Sequence, residues 1–410
     1  MAQYDHYFHL TNNDVVEYVK EKQEFFSKTD NLKCTEIGDG NINFVFRVEN
    51  IDTNESIVIK HAAATARVSG KPMAPTHNRI EAKALKLQGK YVPGAVPVLY
   101  YYDPVMCCIF MEDLKGYKNF RYLLCDHEVS EGFAESVTDF MSSLLIRTTD
   151  NILLPENKRV LAQEYANPEM CEITERLVFT DPFTDCHRSN LVCVENQNFV
   201  NENIYRDENL LLQAAQIKSE FQSNYQALIH GDMHTGSILV KGNSFKYLDP
   251  EFACYAPIGF DVGTVLGNMI LALINLFVTR TDCEKDKNYS KWLETSISDI
   301  VRLFYEKSRK ILVEESVDHM SKCKGFSESY LRTIMQDTAG YCGTEMLRRI
   351  IGFAKVRDIT SISDTQKKII AERTGILTAK YLIMHRNEFG SDGSLYLKVT
   401  REVYRSLINH

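Results

Sequence analysis

The sequence predicts an α+β protein, with a small strand-rich part before about residue 115 and a larger, mainly helical part after it. Three observations carry this. Two β-prone runs with turn residues between them occupy 43–48 and 56–60. Two more runs flank the turn residues Asp103 and Pro104. Beyond residue 115, apolar residues recur at helical spacing over long stretches.

Each element follows from local chemistry. Between 43–48 and 56–60, Asp52 and Asn54 suit a turn, so the pair reads as a hairpin. A helix follows at 78–88, with Ile80, Ala84 and Leu87 on one face and Gly89 as its stop. The runs 96–102 and 107–111 read as two further strands. Helical patterns then cover 129–148, 209–225, 292–313 and 365–386, and a loop and helix follow residue 386. The exception is a β island, 238–240 and 245–248, joined by a tight turn at 241–244. The polar segments 66–79 and 281–290 read as a loop and a charged break.

Composition narrows the function. Of 410 residues, 44% are apolar and 25% charged, an ordinary globular mix. Lysine plus arginine total 47 against 55 acids, a net charge of −8, which argues against nucleic acid or an anionic membrane as the main partner. The 11 cysteines are scattered, odd in number and without a CxxC, and the first residues carry no secretory pattern. Reduced thiols in a cytoplasmic enzyme are expected. The uncharged run 262–279 only just reaches the ~18 residues of a membrane span. It contains Gly263, Gly267, Asn268 and Asn275, and it reads as a buried core helix.

Three segments carry candidate chemistry. Gly38, Asp39, Gly40 and Asn41 precede the first strand; two glycines two apart either make an ordinary turn or present N–H groups to an anion. Lys60 ends the second hairpin strand, where it is either solvated or reaches phosphates with Glu81 of the next helix as its partner. The sharpest signal is LIHGDMHTGSI (228–238) followed by a hairpin and Asp249-Pro250-Glu251. Residues two apart in extended chain point the same way, so Asp249 and Glu251 can converge on one cation, and carboxylates plus phosphates are what Mg²⁺ prefers. Asp232 stands apart from that pair, suited to accept a hydroxyl proton. His230 and His234 flank it without further His or Cys nearby, which disfavours a zinc site.

These motifs resemble the aminoglycoside/choline kinase-like branch of the protein-kinase-like fold, and within it the 5-methylthioribose kinase family. EIGDGNINFVF (36–46), ITERLVFTDPF (173–183), LIHGDMHTGSI, DPEFACYAPIGFDVGTVLGN (249–268) and EMLRRIIGFA (345–354) all carry the resemblance. It implies a two-lobed fold, with a β-rich N-lobe over 1–113 and a mainly helical C-lobe over 114–410. It also implies transfer of the ATP γ-phosphate to the anomeric hydroxyl of 5-methylthioribose, giving the 1-phosphate of methionine salvage. By that resemblance Asp232 is the base, and Asp249 and Glu251 hold Mg²⁺. Lys60 meets phosphates, and Gly38, Asp39, Gly40, Asn41 and Asn43 cover the nucleotide. Met111, Glu112, Asp113 and Leu114 form the hinge that binds adenine through its backbone. Arg348 and Arg349 lie near the sugar and the transferring phosphoryl group, and Asp261 braces the catalytic loop. A homodimer is implied likewise.

Two positions depart from the wider kinase pattern: Ser237 stands where Asn is usual, and the second acid motif is DxE. The metal is therefore expected mainly on Asp249 and Glu251. An adjacent arginine pair on a helix is also often a solvated face, and since neighbours diverge by about 100°, one at most need face inward. The alternatives are the same chemistry on choline, an aminoglycoside or homoserine, or a pseudokinase without turnover.

Overall fold

The computed structural model describes residues 4–22, 25–37, 43–65, 72–281 and 283–409. The expectations placed on Gly38, Asp39, Gly40 and Asn41, and the first part of the 66–79 loop, 66–71, lie outside them. The chain forms two compact units: Met1–Tyr117 with Leu248–Glu251, and Lys118–Tyr247 with Phe252–His410.

The first unit is built on an antiparallel sheet of β1 (Leu32–Glu36), β2 (Phe44–Asn50), β3 (Ser56–His61), β4 (Leu99–Asp103) and β5 (Cys108–Glu112), in the order β1-β2-β3-β5-β4. The expected β2–β3 hairpin forms, with Asn54 in the left-handed region at φ 62°. Phe46, Val48, Ile57 and Ile59 share one face and join a core with Val15, Tyr18 and Val19 of α1 (Asn12–Lys22). That helix went unread in the sequence, although Thr11 and Asp14 cap it reciprocally: the Thr11 amide donates to Asp14 Oδ2 at 2.8 Å, and the Asp14 amide to Thr11 Oγ1 at 3.4 Å. Strand β1 was missed too. On the other sheet face, α2 (Asn78–Tyr91) runs past its expected stop, because Gly89 does not take the left-handed backbone that ends a helix.

The second unit is mainly helical. A three-stranded sheet contains the expected island as Ile238–Lys241 and Ser244–Tyr247, turned at Gly242 with φ 57°. Helical boundaries moved where the chain supplied different stops. Gly132, left-handed at φ 78°, delays the 129–148 helix to Phe133–Arg147. The charged break at 281–290 is largely helix, since Glu284 and Asp286 suit the first turn of Glu284–Glu315.

The core of this unit is the helix Gly259–Thr279, buried from Gly259 to Val278. Among the described residues it is the one helix long and apolar enough to cross a membrane, yet it is enclosed by protein. It packs on the helix Phe326–Ile350. Gly263 permits that approach, because a Cβ there would lie 2.6 Å from Cys342 N and 2.7 Å from Thr338 O.

Candidate active site

In the first unit, the alternation of β3 sends Lys60 to the face opposite Ile57 and Ile59, where α2 supplies Glu81. The solvated reading of Lys60 is replaced by a buried one, with its side chain 6% exposed and that of Glu81 1%. Lys60 Nζ donates to Glu81 at 2.8 Å and to Asp249 Oδ1 at 2.9 Å, and lies 3.9 Å from Glu251 Oε2. Burial disfavours the ammonium, but Asp249, Glu81 and Glu251 outweigh it and hold Lys60 well above its ordinary pKa. Burial pushes Glu81 up, against the pull of Lys60.

Asp249 takes a left-handed backbone at φ 60°, just before Pro250. Asn43 Nδ2 donates to Glu251 Oε2 at 2.8 Å, and Asn43 Oδ1 meets His77 Nε2 at 2.9 Å. Asp249 and Glu251 thus turn oxygens toward one positive group, and hard oxygen donors converging this way fit Mg²⁺.

Around the expected hinge, Met111 and Glu112 end β5, and the Glu112 amide donates to Val98 O at 2.9 Å. The Asp113 carboxylate is committed to protein: Arg47 donates to it twice, at 2.7 and 2.9 Å, and Ser56 Oγ once at 2.6 Å. Leu114 O accepts from the Tyr117 amide. A cavity of about 360 Å³ in this unit lies elsewhere, lined by His9, Thr11, Asn13, Glu36 and Phe44 among others.

In the second unit, the strand Ala227–Ile229 leads to the loop bearing Asp232. Gly231 has φ 83°, and a Cβ there would fall 2.3 Å from Phe252 O, so only glycine fits. Asp261 accepts from the amides of His230 at 2.6 Å and Gly231 at 3.0 Å, so it braces this loop. Burial pushes Asp261 up to about 7 against those amides. The Ser237 amide donates to His234 Nδ1 at 3.1 Å, which leaves His234 Nε2 to face Asp232 Oδ2 at 3.2 Å. Burial holds His234 below its ordinary pKa, so the neutral ring donates through Nε2–H. The buried Ser237 hydroxyl lies 3.4 Å from the same ring nitrogen.

Both arginines turn inward, contrary to the expectation that one would suffice. Arg348 Nη1 and Arg349 Nη2 each lie 3.6 Å from Asp232 Oδ1. That separation is within ion-pair reach but too long for a hydrogen bond. Asp232 Oδ1, Arg348 Nε and Arg349 Nη2 are all buried without a hydrogen-bond partner among the described residues. Burial opposes the Asp232 carboxylate, yet His234 and the two guanidiniums hold it well below the usual range. An ionised acid with an open oxygen, beside two cations with open N–H groups, can accept a hydroxyl proton and bind an anion at one place.

Three further residues went unread. Glu345 lies three and four positions before the arginine pair, a spacing that could have revealed it. Asn268 and Arg121 left no sequence signal, since their roles depend on helix packing: Arg121 Nη2 donates to Asn268 Oδ1 at 2.8 Å.

No family model matches the chain. Over 384 residues, 93% of this chain and 94% of the relative, it is 36% identical to a methylthioribose kinase from Bacillus cereus (strain 03BB102). Methylthioribose kinases from Bacillus thuringiensis (strain Al Hakam) and Bacillus anthracis (strain A0248) match with the same identity and coverage. Among solved structures, a choline kinase from Cryptosporidium parvum Iowa II aligns over 97% of each chain at 11% identity, with a TM-score of 0.49. An ethanolamine kinase from Plasmodium vivax aligns over 95% of this chain and 88% of its own at 12% identity, with a TM-score of 0.46. With that identity sustained over nearly the whole length of both chains, this chain belongs to the methylthioribose kinase family.

Proposed function

We propose that the protein is an ATP-dependent kinase that transfers the γ-phosphate to the anomeric hydroxyl of 5-methylthioribose, giving 5-methylthioribose 1-phosphate for methionine salvage. Family membership supports the substrate. The observation that carries the chemistry is the open Asp232 Oδ1 beside Arg348 and Arg349, themselves with unsatisfied N–H groups.

In this reading the acceptor hydroxyl donates to Asp232 Oδ1, which orients its oxygen toward the γ-phosphorus and takes the proton as the new P–O bond forms. His234 holds the other carboxylate oxygen. Arg348 and Arg349 neutralise charge on the phosphoryl oxygens as the bond to ADP breaks. Lys60, kept charged by its acids, meets the nucleotide phosphates. Asp249 and Glu251 would hold Mg²⁺, which when bound neutralises phosphate charge. Asn43 and the segment 38–41 cover the nucleotide, and the backbone around Met111, Glu112, Asp113 and Leu114 receives adenine. The Asp113 side chain is excluded from that contact by Arg47 and Ser56.

The eleven cysteines, all unbridged, support a reducing, cytoplasmic setting. A homodimer rests on the family resemblance. The substrate test supplies ATP, Mg²⁺ and a panel of 5-methylthioribose, ribose, choline, homoserine and kanamycin, and follows ADP release. Preference for 5-methylthioribose supports the assignment. Equal rates with ribose defeat it.

A further inference from the structure

Two adjacent residues on a helix point about 100° apart, yet both Arg348 and Arg349 reach the same oxygen of Asp232. Something must turn them together. Glu345 lies one turn earlier on the same helix, three residues before one arginine and four before the other, and both positions neighbour it on the helix surface. Its Oε1 accepts from Arg349 Nε at 2.6 Å, and its Oε2 lies 3.3 Å from Arg348 Nη1. Glu345 is 1% exposed, so this carboxylate is no solvated bystander.

Glu345 is itself held from a second helix. Asn268 Nδ2 donates to Glu345 Oε1 at 3.0 Å and to Thr264 O at 2.9 Å. The Asn268 carbonyl accepts from Arg121 Nη2 at 2.8 Å, and Arg121 Nε donates to Thr235 Oγ1, three residues after Asp232, at 3.1 Å. A chain of hydrogen bonds therefore joins Glu345 to the loop that carries the base.

We infer that Glu345 is a positioning residue. It gathers both guanidiniums beside Asp232 while competing with Asp232 for them, so that Asp232 Oδ1 stays open for the acceptor hydroxyl. Two guanidiniums face two carboxylates here, and the neighbouring Arg121 has its own acid, Asp358, 3.8 Å away. With the Glu345 charge removed, Asp232 is the one carboxylate left within 4 Å of the arginines among the described residues, and they close the 3.6 Å gaps onto it. The base is then occupied, and the arginines leave the phosphoryl position. Nucleotide affinity, which rests on residues of the first unit, is not involved.

This inference rests on the reading of Asp232 as the base. The test is steady-state kinetics with ATP, Mg²⁺ and 5-methylthioribose, together with thermal melting. Glu345→Gln keeps the side-chain volume and is expected to lower kcat about 10- to 100-fold, the scale of a misplaced catalytic group. Its KM for ATP should stay within about twofold. Glu345→Asp restores the charge on a shorter arm and should recover part of that loss. An unchanged kcat in Glu345→Gln, or no recovery in Glu345→Asp, overturns the inference. If Glu345→Gln does not fold, Asn268→Ala decides: lowered kcat at unchanged KM for ATP supports it, and unchanged kcat overturns it. Asp232→Asn separates the two readings. Full turnover there defeats the base itself, whereas an inactive Asp232→Asn beside a fully active Glu345→Gln defeats only the positioning role.

Discussion

Gly263 faces the backbone of Cys342 so closely that a β-carbon on the glycine would lie 2.6 Å from the Cys342 nitrogen. The neighbour is main chain, which cannot rotate away, so the two helices must part to admit a methyl group. Gly263→Ala should therefore cost at least the ~1–3 kcal/mol typical of an overpacked core. It should also lower kcat, because the displaced helix carries Glu345, Arg348 and Arg349. An unchanged urea midpoint would show that the helices have slack.

Asp232→Asn keeps the shape of the base and removes its charge. We expect ATP binding to persist while kcat falls by roughly 10²–10⁴, the range for a lost general base. Nucleotide titration and turnover on the same preparation check both halves of this expectation.

Lys60 and Glu81 form a buried pair, and each needs the other. Lys60→Met leaves Glu81, Asp249 and Glu251 facing one another, and Glu81→Gln strips a buried lysine of a partner. Each single change should destabilise by about 3–5 kcal/mol, the usual cost of breaking a buried pair. The double variant should cost less than the two singles added. Strict additivity in chemical unfolding would mean that the pair is not coupled.

His61 supplies a pH dependence. Its ring is fully buried, with the Leu10 amide 3.3 Å from Nε2 and Met106 O 3.1 Å from Nδ1, the arrangement of a neutral imidazole. Burial, with His9 nearby, lowers its pKa from 6.5 to about 4. Between those values the unfolded chain binds more protons than the folded one, so stability falls as pH drops through that window. The loss by pH 4 is on the order of 3 kcal/mol from this residue. His61→Gln should flatten the difference in melting temperature between pH 7 and pH 4.5; a slope equal to that of the parent would remove His61 as its source.

Much of the protein was legible because its signals are local. The β2–β3 hairpin follows from alternation around Asp52 and Asn54, and the short island from a turn at Gly242 and Asn243. The core helix showed as an uncharged run interrupted by Gly263 and Gly267. The acid motifs at 232 and at 249 and 251 stood out because spacing alone relates their residues. What stayed hidden is non-local or depends on a cap: α1 rests on a Thr11–Asp14 cap that was overlooked, and β1 is justified by its pairing with β2 and by Leu32 and Cys34 packing on the core that α1 joins.

By itself, then, the chain determined its α+β class, the hairpins and several of the long helices, and the residue types available for phosphoryl transfer, since backbone preference and side-chain period act within a few residues. Only the tertiary structure decided that Lys60 is buried, that Asp249 reaches it from 189 positions away, and that two neighbouring arginines turn the same way. A long side chain takes its direction from the charges packed around it. Those charges arrive from distant segments that no local pattern records.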